Sequence, residues 1–168
     1  MGKSRLIREC ATRASARGWS QVLRGRCLPY GDGVTFWPLR AMVLGAAGVG
    51  DDEAPDVALR RVHDALGDAA VAARLASAIG LSKGAFPLAE TYWAARRFFE
   101  QRAADGPLLV FVDDIHWAGA AFLDLLEHVL TATRGAPILL LTTARHELLE
   151  ERPDWGMQAN AQRVVLGP

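Results

Sequence analysis

Five consecutive apolar residues, Leu108-Leu109-Val110-Phe111-Val112, stand between a helix-like pattern and two carboxylates, Asp113-Asp114. A strand open to water on one face alternates apolar and polar side chains, so a run without alternation must be covered on both faces. Helical patterns on either side, Leu88 to Arg102 before it and Ala121 to about Thr133 after it, supply the covers. A second buried run, Ile138 to Leu141, follows the turn at Gly135-Ala136-Pro137, and residues 163–166 could start a third. Buried strands alternating with helices specify an α/β fold with a parallel sheet.

The rest of the chain fits around that sheet. Apolar residues at 6, 7, 10, 11 and 14 have helix spacing with one buried stripe, and Gly18 is a plausible stop. From Gln21 to Cys27, Val22, Arg24 and Arg26 alternate with Leu23, Gly25 and Cys27, a pattern suited to a sheet edge. Residues 29–33 read as a loop, and Trp37-Pro38-Leu39 opens a helix through Leu44. Further helical patterns run from Val57 to Leu66 and from Ala69 to Ile79.

Composition removes several classes. With 51% hydrophobic residues the chain can offset the entropy of ordering, so it is not disordered. Its 19 basic and 19 acidic residues cancel, against the basic excess of a dedicated nucleic-acid binder. The helix-side arginines Arg5, Arg8, Arg13 and Arg17 therefore read as a solvated face. No apolar run approaches the ~20 residues of a bilayer span. Two cysteines, Cys10 and Cys27, make no disulfide framework and read as buried thiols of a reducing cytoplasm. The four histidines lack metal-site spacing. Gly45-Ala46-Ala47-Gly48-Val49-Gly50 mimics a phosphate loop, but acids follow where a lysine belongs. Tyr92, Trp93 and the pair Phe98-Phe99 read as helix packing.

Three short segments carry chemistry. Gly2-Lys3-Ser4 at a helix start matches the end of a phosphate loop, in which lysine reaches the β and γ phosphates and the serine hydroxyl binds magnesium. Alone, GKS also occurs by chance in surface loops. Asp113-Asp114 lie at a strand's carboxyl end, where open α/β sheets bind ligands. There Asp113 could hold magnesium through water and Asp114 could orient or deprotonate the attacking water; capping of the next helix is the competing reading. Thr142-Thr143-Ala144-Arg145 puts two hydroxyls and a guanidinium at the next strand's exit, where Arg145 could pair with a terminal phosphate or bond loop carbonyls. Their joint order is more specific than any one of them.

That order, with MGKSRL at 1–6, LLVFVDDIHWA at 108–118 and LLLLTTARHELL at 139–149, resembles the STAND branch of AAA+-related P-loop ATPases. The stretch GRCLPYGDGVTFWPLR at 25–40 is similar to one found in large bacterial regulators that carry class III nucleotidyl cyclase or LuxR-type domains. The resemblance implies a three-layer P-loop NTPase core that binds ATP and Mg2+. It implies Gly2, Lys3 and Ser4 as nucleotide-binding residues, Ser4 and Asp113 as magnesium ligands, and Asp114 as the water-positioning acid. Arg145 would sense the γ-phosphate. His116 and Trp117 match the residues that follow the acids in that group, and read as structural and packing residues.

The resembled fold orders its strands 5-1-4-3-2, and the strand that precedes the phosphate loop has no counterpart in this sequence. The expectation is a partial domain over 1–168, incomplete at both ends and weak in binding MgATP by itself. Its partners would be ATP, other domains of a parent polypeptide and copies of itself, with no nucleic acid or membrane. A fold kept for protein interaction without turnover is the alternative function.

Overall fold

In the computed structural model, the run at 108–112 forms the middle of a three-stranded sheet. The structure describes residues 3–19, 21–29, 35–50 and 52–166. Strand β2 (Leu108–Asp113) pairs with β1 (Gln21–Arg26) on one side and β3 (Ile138–Thr142) on the other. Both pairings are parallel, with Leu108 opposite Gln21 and Ile138, and Val112 opposite Gly25 and Thr142. This is the α/β core with a parallel sheet that the apolar runs specify. All five apolar residues of β2 are buried.

A parallel connection must return the chain to the sheet's starting end, and here helices do so. Between β1 and β2 run α2 (Trp37–Ala46), α3 (Pro55–Leu66), α4 (Ala69–Ala78) and α5 (Leu88–Arg102). Helix α6 (Ala120–Ala132) connects β2 to β3. Pro38 and Pro55 sit in first turns, where a missing N–H costs nothing. Asp68 caps α4 by accepting from the backbone N–H of Ala70 at 2.9 Å and Val71 at 3.1 Å. Phe98, Phe99 and Phe122 fill the interior with Leu39, Met42 and Leu75.

Strand β1 is an edge among the described residues, with Arg24 and Arg26 exposed and Leu23, Gly25 and Cys27 buried. Helix α2 lies so close that a Cβ on Gly25 would stand 2.7 Å from the Pro38 carbonyl oxygen and 2.8 Å from Met42 Cε. Glycine is the residue that allows this crossing.

Four expectations change. Strand β3 is half-buried, with Leu139 48% exposed, and among the described residues it has a strand on one side only. Residues 163–166 form no strand; they have no ladder partner, and Val165 is 85% exposed. The chain before them is held against α6 instead, by Arg152 on Asp124 at 2.8 Å and Asn160 on the Leu130 carbonyl at 3.1 Å. A short helix, α7 (Glu147–Glu151), follows β3 and buries Leu148. Helix α1 (Lys3–Ala16) forms and ends before Gly18, at φ 83°, but of its expected stripe Ala11 is buried, Cys10 and Ala14 are half-buried and Leu6 is exposed. The loop expected at 29–33 lies, beyond Pro29, outside the described residues. No helix among the described residues is long and apolar enough to cross a membrane.

Candidate functional site

Parallel register brings the carboxyl ends of all three strands to one rim of the sheet. Arg26 of β1 stands opposite Asp113 of β2. The Cys27 N–H extends that ladder by donating to the Asp113 carbonyl at 3.0 Å. On the other side, the Thr143 N–H donates to the Val112 carbonyl at 3.0 Å. The two acids of the sequence motif thus sit between the exits of β1 and β3.

After Asp113 the backbone turns sharply. Asp114 has φ 57° and ψ 41°, and is the non-glycine residue with positive φ among the described residues. Aspartate tolerates this region better than most side chains, which lose roughly 1–2 kcal/mol there. A 3-10 turn, Ile115–Trp117, follows; the Trp117 N–H donates to the Asp114 carbonyl at 3.0 Å and Ile115 is fully buried. Burial of Ile115 anchors the turn in the core, so the two carboxylates need not do so.

Thr143 meets both acids. Its hydroxyl donates to Asp113 Oδ1 and accepts from the Asp114 N–H at 3.0 Å. The same N–H reaches Asp113 Oδ1 at 3.1 Å. Asp114 is engaged from the opposite side, where Arg26 Nε and Nη2 both donate to its Oδ2, at 3.2 and 3.1 Å. Arg26 is largely exposed, so water screens this pair and it contributes at most about 1 kcal/mol of stability. Its consequence is positional: it fixes where the carboxylate points.

The acids also act on a neighbour. Burial, then the charges of Asp114 and Asp113, push the Cys27 thiol up to about 12. A thiol so protonated is no nucleophile at neutral pH. Cys27 is the buried thiol expected of it, whereas Cys10 is half-buried.

Arg145 leaves β3 at the same rim, two residues beyond Thr143, and is exposed; its carbonyl accepts from the Leu148 N–H at 3.4 Å in the turn into α7. Lys3 and Ser4 open α1, where the backbone alone is described, and Gly2 lies outside the described residues. Of the residues singled out in the sequence, the structure brings together Asp113, Asp114 and the segment bearing Arg145. Trp117, expected to pack, is 45% exposed with its ring tilted on His116 at 5.0 Å.

Two participants escaped the sequence reading. Arg26 was legible only as an edge arginine, although it ends a strand whose neighbour ends in acids. The role of the Thr143 hydroxyl needed the register of β3 against β2. As a divalent-cation site the rim is sparse: no group of three His, Cys, Asp or Glu among the described residues could hold a metal. Mg2+, however, is commonly held by one or two carboxylates, with water and phosphate oxygens completing its shell. Asp113 fits that mode, because both hydrogen bonds found on its carboxylate fall on Oδ1.

Comparison with known proteins gives the family. The profile of the AAA ATPase domain matches residues 1–141. An uncharacterized protein of Rhizobium meliloti (strain 1021) is 32% identical over 180 residues, a match that covers all of this chain and 17% of that protein. The chain thus spans about a sixth of that relative's length. No solved structure gives a significant match.

Proposed function

Since this chain belongs to the family of AAA ATPase domains, we propose that it is an ATP-binding and ATP-hydrolysing regulatory module of a bacterial signalling or transcription-regulatory protein, in the STAND branch. The observation that carries this reading is the two-acid turn at the end of the central strand, with Asp113 presented and Asp114 held beside it. Residues 1–168 would form part of the ATPase domain in a longer polypeptide, as the much greater length of the R. meliloti relative supports. Other domains of that polypeptide and further copies of the chain are the expected partners, in the cytoplasm.

In this reading Gly2 and the backbone at the start of α1 receive phosphate oxygens, and Lys3 neutralises the β and γ phosphates. Ser4 and Asp113 would hold Mg2+, whose charge stabilises the phosphate oxygens during transfer. Asp114 orients the attacking water and accepts its proton, with Arg26 setting the direction of the carboxylate. Arg145 neutralises charge at the terminal phosphate.

Because residues 1–168 by themselves would bind MgATP weakly, the test is made in the longer polypeptide, where the expected result for Asp113→Asn is at least a tenfold loss of MgATP affinity, measured by calorimetry, with metal-free ATP bound as before. Asp114→Asn should leave binding intact and abolish phosphate release. An Asp113→Asn variant that binds MgATP like the parent overturns the assignment. One observation favours the alternative, an interaction module without turnover: Arg26 already occupies Asp114 Oδ2 with two hydrogen bonds. Under that reading Asp114→Asn changes no rate.

A further inference from the structure

Thr143 is buried, at 8% exposure, and all three of its polar groups are used where the chain leaves β2 and β3. Its N–H donates to the Val112 carbonyl at 3.0 Å, and its own carbonyl accepts from Ile115 N–H at 2.8 Å. Its hydroxyl has one proton, given to Asp113 Oδ1, and its lone pair takes the Asp114 N–H. A valine would fill nearly the same space and keep both backbone bonds, yet lose both side-chain bonds. The hydroxyl therefore has a task that packing does not explain.

We propose that Thr143 is a positioning residue that saturates Oδ1 of Asp113, leaving Oδ2 as the oxygen offered to a divalent cation, and that locks Asp114 in its left-handed turn. Two donors converge on Oδ1, so rotating the carboxylate breaks both bonds at once. The same hydroxyl ties the conformation of Asp114 to the orientation of Asp113, so the acid next to the metal and the acid next to the water move as one unit. Groups that orient a metal ligand from behind typically change metal affinity by about 10- to 100-fold when removed. This inference rests on the assignment of Asp113 as the magnesium acid.

The test uses the longer polypeptide of which these residues would form part, with Mn2+ as the probe, titrated by electron paramagnetic resonance in the presence of a non-hydrolysable ATP analogue. Thr143→Val should weaken Mn2+ uptake about 10- to 100-fold while leaving affinity for the metal-free analogue unchanged, and Thr143→Ser should restore it. Amide exchange at Asp114, followed by NMR without ligand, should speed up in the valine variant and recover in the serine variant. If the valine variant unfolds, Thr143→Ala against Thr143→Ser makes the same comparison. Wild-type Mn2+ affinity in Thr143→Val or Thr143→Ala, alongside a loss in Asp113→Asn, overturns the role of Thr143 and spares the site. Wild-type affinity in Asp113→Asn overturns both.

Discussion

Strands β2 and β3 are built from the same kind of side chain and lie side by side, yet water treats them differently. In β2 every apolar residue is buried; in β3 the apolar residues are partly accessible and Leu139 is half-exposed. Their surroundings differ too: β2 has a strand on each side and β3 has one among the described residues. An apolar run therefore states that a strand will form, while the elements beside it decide how much area leaves water. Strand β1 refines the point. It too has one strand neighbour, but α2 closes over it at Gly25, so its inward side chains are as buried as those of β2.

Four substitutions sharpen or break this contrast. The largest effect is expected from Leu108→Ala in β2, which leaves a cavity at a fully buried site and should cost about 2–5 kcal/mol in urea denaturation. Next comes Gly25→Ala, which forces a methyl against the Pro38 backbone and should cost about 1–3 kcal/mol. A neutral result there would mean that α2 can lift off β1. Smaller and dependent on pH is the effect at Cys27. Its thiol pKa is raised from an ordinary value near 9 to about 12, so the folded chain keeps a proton that the unfolded chain releases. The stability tied to that proton is complete below about pH 9 and is lost as pH climbs towards 12. Between pH 8 and 10, the wild type should therefore lose more stability than Cys27→Ala. The smallest effect is expected from Leu139→Lys in β3, within about 0.5 kcal/mol by the same denaturation assay. A large loss would show that β3 is covered in solution.

Much of the fold was legible because periodicity carries it. The unalternating run identified β2, the arginines of β1 marked an edge, and the spacing across Leu88–Arg102 located α5 at its observed bounds. What escaped depends on contacts that no local pattern encodes. Helix α7 has five residues, too few to display a period, and is held by the burial of Leu148. Residues 163–166 have strand-forming side chains, but a ladder needs a second strand. At the rim, the places of Asp113, Asp114 and Arg145 at the strand exits were readable from motif order. The bond from Arg26 to Asp114 was not, because it joins positions 88 apart and follows only from the register.

That separation has a consequence for synthesis. A ribosome releases β1 and must then deliver four helices before the first residue of β2 exists to pair with it. At 5–20 residues per second this leaves the nascent strand single for roughly 4 to 16 s. Arg24 and Arg26, projecting from that orphan segment, are the charges that keep it from joining a stranger's strand in the meantime.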